Sequence, residues 1–272
     1  MAPEPLATLT FAAWRRLDLA AASRLAAQVA DAAGGRVDRV EALEHLGAPL
    51  HRVLVERGGR LFALIPGGRV TVGFDVAAWR PSAELLACYR EESVSQGFGD
   101  EDLHAHLARL LSPRRTVTVP TLLMAVEDES LPVPPAEMPA ALAREGLRLP
   151  SPDEWEHACG AGADTLFRWG DTFPLDRIPY GDATGPHARP NAFGLRIAYD
   201  TYRSEITGEP GLIHGGDGGE SVCGGYGTVL AWLPLATANR HPDLVELFYG
   251  EDGEFDEDLL DCLSTRPVLP LR

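Results

Sequence analysis

The N-terminal segment has the hydrophobic periodicity of a helix. Between residues 9 and 33, large apolar side chains recur at spacings near three and four, at Phe11, Trp14, Leu17, Leu25 and Val29. This spacing places them on one face of an α-helix. Gly34 and Gly35 then end the pattern, as glycines often do after a helix. We predict a helix that packs on the rest of the chain. An alternative is that Phe11 and Trp14 dock a partner.

Short apolar runs after this helix predict β-strands. Residues 51–55 and 61–65 form two such runs, and Gly58-Gly59 lies between them. Two apolar runs separated by glycines are typical of a β-hairpin. A further β-branched strand at residues 70–72 follows a proline-glycine turn.

The middle of the chain alternates between helical and extended patterns, and its second half is irregular. Residues 82–111 have a helical pattern that breaks near Gly97, and residues 114–126 alternate apolar and polar side chains as a half-buried strand does. Between residues 160 and 227, glycine, proline and aspartate dominate, which leaves little room for regular elements. Packing there must depend on aromatic side chains, which are Trp155, Phe167, Trp169, Phe173 and Phe193. We predict a loop-rich α+β fold with short antiparallel strands and few helices.

The most specific local pattern is RLPSPDEWEHAC at residues 148–159. Ser151 can cap the helix that follows, and Glu154, three residues later, completes a capping box. Pro152 suits the first helical turn. Trp155 and Ala158 are three residues apart, so one face of this helix should lie in the core.

Composition and charge limit the partners. The chain has 272 residues and a formal net charge of −16, and all of its 24 basic residues are arginine. Such a charge repels phosphate backbones and anionic lipid headgroups, so we expect neither nucleic acid nor a membrane as a partner. Because the chain has no lysine, catalysis through a lysine Schiff base is excluded. The oligomeric state is left open.

Cysteine usage and the termini favour the cytoplasm. The four cysteines are widely spaced, without CxxC or zinc-site spacing, and no apolar run is long enough to cross a bilayer. We therefore expect a cytoplasmic protein with reduced thiols. Residues 243–261 carry nine acidic side chains and no basic one, and we interpret this stretch as a solvated loop in preference to a calcium or arginine-binding site.

Several motifs occur in an order that resembles a known superfamily. R-L-P-S-P-D-E-W-E-H-A (148–158) is similar to the R-L-P-T-x-x-E-W-E-x-A signature of the formylglycine-generating enzyme (sulfatase-modifying factor) superfamily, which includes ergothioneine sulfoxide synthases. F-A-L-I-P-G-G-R-V-T-V-G (62–73), F-R-W-G-D (167–171), N-A-F-G-L (191–195) and H-G-G-D (214–217) resemble further motifs of that superfamily in the same order. The resemblance implies a C-type-lectin-like domain over residues 59–272, preceded by a helix and hairpin extension at residues 1–58.

The same resemblance does not carry over a catalytic residue. The copper-dependent members of the superfamily hold the metal with two cysteines five residues apart. In the corresponding region of this chain, Cys223 is the only cysteine, and Thr228 stands five residues later. The segment that supplies calcium ligands reads R-I-A-Y-D-T-Y-R-S-E-I (196–206), and the histidine-glutamate motif of the iron-dependent members is absent from the sequence. No cofactor is therefore assigned, although copper, iron or calcium is a minor possibility.

The candidate site is the glycine-rich stretch from His214 to Arg240. Its glycines let the backbone approach a ligand closely, although a packed loop without a ligand fits the same pattern. The candidate ligand-binding residues are Asp217, Tyr226, Trp232, Asn239 and Arg240, with a core role for Trp232 and an ion-pair role for Arg240 as alternatives. His214, Asp217, Glu220 and Cys223 recur every third residue, and His214, Asp217 and Cys223 are weak candidates for a metal site, with Cys223 also a weak candidate nucleophile.

Two functions follow from these residues. The first is a non-oxidising binding module that recognises a peptide, a protein or a small molecule through its glycine-rich cleft. The second is a diverged metal- or cysteine-dependent oxidoreductase acting on a thiol or peptide substrate, in which Cys223 works with His214 or Asp217. Since one thiolate cannot reproduce two-cysteine ligation of Cu(I), we favour the binding module.

Overall fold

The fold belongs to the α+β class, as the sequence predicts. A computed structural model describes residues 6, 9–240, 255 and 257–271. The α-helices in these residues are α1 (Phe11–Trp14), α2 (Leu19–Ala33), α3 (Ala83–Cys88), α4 (Leu103–Leu110), α5 (Met138–Ala143), α6 (Pro152–Gly160), α7 (Glu220–Cys223) and α8 (Thr228–Trp232). A π-helical turn, Tyr89–Ser93, continues α3, and short 3-10 turns occur at Val94–Gln96, Pro135–Glu137, Pro186–Ala188, Leu233–Leu235 and Glu257–Cys262.

The strands form three small sheets. They are β1 (Arg36–His45), β2 (Ala48–Arg57), β3 (Arg60–Ile65), β4 (Gly68–Val72), β5 (Arg115–Val119), β6 (Leu122–Ala125), β7 (Glu129–Ser130), β8 (Ser204–Ile206), β9 (Ile213–Gly215), β10 (Leu263–Thr265) and β11 (Val268–Pro270). The largest sheet has the order β1-β2-β3-β6-β11, a second has the order β7-β10-β8-β9, and β4 pairs with β5. Neighbouring strands are antiparallel except for β10 and β8, which are parallel.

The predicted N-terminal helix is two helices. The side chain of Asp18 accepts a hydrogen bond from the backbone N–H of Ala21 and so caps the start of α2. The predicted single helix is therefore interrupted between α1 and α2. Gly34 ends α2 with a left-handed φ of 67°, as expected. The alternative role of Trp14 in docking a partner is wrong, because Trp14 is 1% exposed and its Nε1 donates to the carbonyl of His51 at 2.9 Å.

The predicted hairpin is confirmed, and it has an additional strand. β2 and β3 are antiparallel neighbours joined at Gly58-Gly59. β1, which the sequence pattern does not reveal, pairs with β2 along its whole length, from Arg36 opposite Glu56 to His45 opposite Ala48. β1 is an edge strand rich in charged residues, so it lacks a clear apolar alternation.

The division proposed at residues 58 and 59 falls inside the main sheet. It lies in the turn between β2 and β3, which are paired strands. A single core cluster contains Val29 of α2, Val55 of β2 and Leu123 of β6. The N-terminal segment is thus part of the same packed unit as the residues that follow it.

The helix α6 carries the predicted capping box. The Ser151 hydroxyl accepts from the Glu154 N–H at 3.2 Å, and the Glu154 carboxylate accepts from the Ser151 N–H at 2.7 Å. Arg148 adds two hydrogen bonds to the same carboxylate at 2.7 and 2.6 Å. Trp155 and Ala158 are fully buried, as predicted.

A buried ion pair ties the C-terminal strands to this helix. Arg266 is fully buried and donates to both carboxylate oxygens of Glu205, at 2.9 and 2.7 Å. Glu205 also accepts from Trp155 Nε1 at 2.8 Å, and Arg266 donates to the carbonyls of Ala125 and Val126. Breaking a pair buried in this way leaves an uncompensated charge.

The remaining sequence predictions concern the acidic stretch near the C-terminus and the membrane. The acidic stretch 243–261 lies mostly outside the described residues, which include from it only residue 255 and residues 257–261. Among the helices that the structure describes, none is long and apolar enough to cross a membrane.

Candidate functional site

The glycine-rich loop leaves β9 and is held by backbone hydrogen bonds. The N–H of Gly216 donates to the carbonyl of Arg203 at 2.6 Å, and the N–H of Asp217 donates to the carbonyl of Thr201 at 2.9 Å. A Cβ on Gly216 would lie 2.4 Å from the Thr201 oxygen. Glycine is therefore needed at this position because two backbone segments approach too closely for a side chain.

Asp217 organises this loop from within. It is 1% exposed, and its carboxylate oxygens accept from the N–H groups of Gly219 at 2.9 Å and Ser221 at 3.0 Å. These contacts are typical of an aspartate that stabilises a turn. The predicted role of Asp217 in ligand binding has no support in these contacts.

His214 is buried in strand β9. Its ring stacks on Trp155 with centroids 4.7 Å apart. Desolvation, assisted by nearby Arg240, lowers the pKa of His214 to about 3, so the ring is neutral at physiological pH. Neither ring nitrogen has a well-aligned hydrogen bond, and the backbone of Asn239 is a polar group close to the ring.

Cys223, at the end of α7, is exposed and lies against a tyrosine. Its Sγ is 3.2 Å from the hydroxyl of Tyr202, and this contact is the main cause that raises the pKa of Tyr202 to about 12. The other three cysteines, Cys88, Cys159 and Cys262, are free thiols that pack in or against the hydrophobic clusters.

The predicted metal set is not brought together. His214 is stacked on Trp155, Asp217 caps the loop and Cys223 contacts Tyr202. Within the described ranges, no group of three histidine, cysteine, aspartate or glutamate side chains is placed to hold a metal ion. The donor set around Cys223 does not fit the two-cysteine copper centre that the resemblance implies, and we derive no chemistry through such a centre.

Arg240 belongs to a buried ionic cluster. Its Nε lies 3.7 Å from the carboxylate of Glu156, which also accepts two hydrogen bonds from Arg115, both at 3.2 Å. Burial raises the pKa of Glu156, and the charge of Arg115 opposes that shift. The ion-pair alternative for Arg240 agrees with this arrangement, and the predicted ligand contact does not.

Trp232 is a core residue. It is fully buried, its Nε1 donates to the carbonyl of Arg177 at 2.9 Å, and its ring packs against Trp169, Phe173 and His187. The predicted role as a ligand platform is therefore wrong, because no face of the ring is open.

Tyr226 and Asn239 line a pocket of about 220 Å³. The ring of Tyr226 stacks on Phe98 with centroids 4.2 Å apart, and its hydroxyl donates to Glu220 at 2.9 Å. Asn239 is 1% exposed, and its Nδ2 donates to the carbonyls of Gly215 and Pro234. Its Oδ1 has no hydrogen-bond donor among the described residues, and this oxygen is itself fully buried.

The pocket has a fixed frame because the glycine-rich loop is fastened to the π-helical turn. The hydroxyl of Ser93 donates to the carbonyl of Tyr226 at 2.7 Å, and the Thr228 N–H donates to Glu92 at 2.7 Å. Between them, a Cβ on Gly227 would lie 2.8 Å from Glu92, at a φ of 94°. Only glycine allows this contact.

Helix α4 supplies the charged side of the pocket, which sequence reasoning missed. His106 and Arg109 line it, and Asp100 lies 3.4 Å from His106 Nδ1 and 3.7 Å from Arg109 Nη2. The three-residue spacing of His106 and Arg109 places both on one helix face. The spacing of these two residues is visible in the sequence and could have indicated a shared helix face. Nothing in the sequence, however, places α4 next to a loop more than 100 residues away.

A larger cavity of about 640 Å³ lies elsewhere and is lined mostly by apolar side chains, including Leu149, Ile206 and Ile213. None of the predicted site residues lines it.

Comparisons with known proteins do not assign a function, so any functional proposal depends on the geometry described above. No protein-family model matches the chain, and a search of curated proteins finds no significant match.

Proposed function

We propose that this chain is a diverged formylglycine-generating-enzyme-like protein with a C-type-lectin-like fold, and that it works as a binding module. Its ligand enters the pocket between Phe98, Tyr226 and Asn239. A cytoplasmic location is part of the proposal and is supported by the four free thiols.

The observation that carries the proposal is the pocket beside the glycine-rich loop. It combines a stacked aromatic wall, the carboxylate of Glu220 and a fixed backbone frame. Binding sites typically combine apolar surface with a few placed polar groups. The carboxylate of Glu220 also lines the pocket, and it can accept a hydrogen bond from a ligand N–H or O–H.

Size and charge narrow the ligand class. A volume of about 220 Å³ is below the range of about 300–1,000 Å³ that holds drug-sized ligands. The pocket therefore suits a single peptide side chain or a small molecule with a flat apolar part and an N–H or O–H donor. Glu220 and Arg109 both line the pocket, and Asp100 lies beside Arg109, so these opposite charges favour a neutral ligand over an anion.

The proposal predicts that Tyr226→Ala removes binding of a side-chain-sized probe. The probes are N-acetyl amino acid amides, one for each side chain, and the measurement is the rise in melting temperature of the purified protein. At least one amide should stabilise the unmodified chain, and the same amide should lose about tenfold or more in affinity for the variant, because truncation removes an aromatic contact surface.

Tyr180→Ala is the matched control, because Tyr180 is 60% exposed and does not line this pocket. Circular dichroism of both variants verifies folding. Equal stabilisation of the Tyr226 variant and the unmodified chain, or no response to any amide, would contradict the proposal.

The oxidoreductase alternative remains a separate proposal that gains less from the contacts. Cys223 has Tyr202 as its hydrogen-bond partner, whereas His214 is stacked on Trp155. An anaerobic Cu(I) titration distinguishes the two functions. Stoichiometric, tight binding that Cys223→Ser abolishes would favour the oxidoreductase, and weak or Cys223-independent binding would favour the binding module.

A further inference from the structure

A second pocket, of about 270 Å³, is lined by three arginines. Arg52, Arg168 and Arg189 line it together with His45 and Trp169, and none of its lining residues is acidic. The pocket is thus a local concentration of positive charge in a chain whose net charge is −16. A general surface attraction for anions is excluded by that net charge, so any anion affinity must come from the pocket itself.

Arg168 is the unusual member of this group. It is 8% exposed, and it donates from Nε to the carbonyl of Ile197 at 3.0 Å and from Nη2 to the carbonyl of His187 at 2.6 Å. No carboxylate among the described residues pairs with it, and its Nη1 has no hydrogen-bond partner there. A buried cation without a counter-charge is unfavourable, and burial lowers the pKa of Arg168 to about 10.

The other charged groups around the pocket do not neutralise it. Arg52 is paired with Glu41 at 3.3 Å and donates to the carbonyl of Asn191 at 2.9 Å. Arg189 is exposed and makes no ion pair with any residue that the structure describes. His45 shares its Nε2 with the carbonyl of Ala161 at 3.0 Å. Two guanidinium groups, those of Arg168 and Arg189, therefore lack an acidic partner.

We propose that this pocket binds a small phosphate monoester. A phosphate dianion matches two unpaired guanidinium groups, and the planar fork of arginine donates two parallel hydrogen bonds to phosphate oxygens. The pocket is larger than a phosphate group alone. Leu43, Pro186 and Pro190 give the remaining volume an apolar lining that fits a small organic group. The ring of Trp169 stacks on Phe167 and lies against the guanidinium of Arg168.

The test measures binding of phenyl phosphate by isothermal titration calorimetry on the full chain at low ionic strength. Phenyl phosphate should bind, inorganic phosphate should bind more weakly, and phenol should not bind, because the charge supplies most of the affinity. Added sodium chloride should weaken binding. Arg189→Ala should weaken it about tenfold. Since Arg189 is exposed and unpaired, this variant should fold normally.

Arg168→Met provides a second variant, which keeps an unbranched side chain and removes its charge. It should abolish phenyl phosphate binding while circular dichroism shows a folded chain. Arg69→Ala is the matched control, since Arg69 is exposed on β4 and lies outside the pocket. Absence of phenyl phosphate binding, or unchanged affinity in Arg189→Ala, would overturn the proposal.

This pocket shares no residue with the one that contains Tyr226 and Asn239. Tyr226→Ala should therefore leave phenyl phosphate binding unchanged, and loss of binding in that variant would also count against a separate anion site. Failure of either proposal leaves the other testable.

Discussion

His214 shows how burial determines the chemistry of a side chain that sequence alone made a candidate metal ligand. Its neighbours in sequence are glycines and an aspartate, which suggested an open loop. In the fold it lies in a strand between Trp155 and the backbone of Asn239. The spacing of residues along a chain contains no information on which face of a strand will be covered by a helix from elsewhere.

The lowered pKa of His214 predicts acid sensitivity. Above pH 6.5 the ring is neutral in both the folded and the unfolded chain. Between pH 6.5 and about 3, only the unfolded chain takes up the proton, so the free energy of unfolding falls with decreasing pH. Burial lowers the pKa of His157 and His187 as well, which adds to the same trend.

We expect His214→Phe to reduce this sensitivity, because phenylalanine keeps a ring against Trp155 and takes up no proton. The variant and the unmodified chain are compared by their free energies of unfolding. From pH 7.5 to pH 5, the difference between the two should shift in favour of the variant by about 2 kcal/mol. Urea denaturation at both pH values measures this gain. His104→Phe, at a position where the side chain is 36% exposed, is the control for the substitution itself. An equal pH dependence in the His214 variant would contradict the predicted pKa.

Cys223, Tyr226 and Asn239 differ in how far sequence could predict their roles. The exposure of Cys223 could not be predicted, because its glycine neighbours fit both a buried and an open loop. Tyr226 and Asn239 do line a pocket, but the residues opposite them come from α4 and the turn near Gly97. The missing counter-charge of Arg168 could not be predicted from sequence, since it depends on which carboxylates the fold brings near.

At the scale of elements, local signals predicted most of what is local. The capping box of α6, the β2–β3 hairpin and the break near Gly97 are all fixed by neighbouring residues, and each is present. β1 and the division of the first helix were missed. Asp18 could have revealed the second of these, because aspartate is among the preferred N-cap residues.

Loss of the α6 cap should destabilise the fold. Ser151→Ala removes the hydroxyl that accepts from Glu154 N–H, and we expect the free energy of unfolding to fall by about 1 kcal/mol. Chemical denaturation with a constant slope measures the change. Ser23→Ala, in the exposed middle of α2, is the matched control and should be neutral or slightly stabilising because alanine is the better helix former. Equal effects of the two substitutions would show that the cap contributes nothing.

At the scale of the whole molecule, the main sheet combines distant parts of the chain. β1, β2 and β3 come from the first 65 residues, β6 from residues 122–125 and β11 from residues 268–270. Pairings of this range depend on the global arrangement, so local sequence patterns could not predict the sheet order or the fact that the N-terminal hairpin shares its core.

The shared sheet predicts the outcome of a truncation. A chain starting at residue 59 would lack β1, β2 and both N-terminal helices, which exposes Phe62 and Leu64 of β3 to water. We expect this fragment to be insoluble or to lack a cooperative thermal transition, because it loses a large part of the buried apolar area. Expression and calorimetry of residues 59–272 provide the measurement. A fragment that unfolds cooperatively would show that the N-terminal segment is separable.

The position of β11 also has a consequence for biosynthesis. β11 closes one edge of the main sheet, and Arg266 reaches the carboxylate of Glu205. In a nascent chain on the ribosome, Glu205 therefore lacks this partner, and the core lacks its edge strand, until β11 has been synthesised. Translation must proceed through residue 270 before the core is complete, so earlier folding intermediates are exposed to chaperones and proteases.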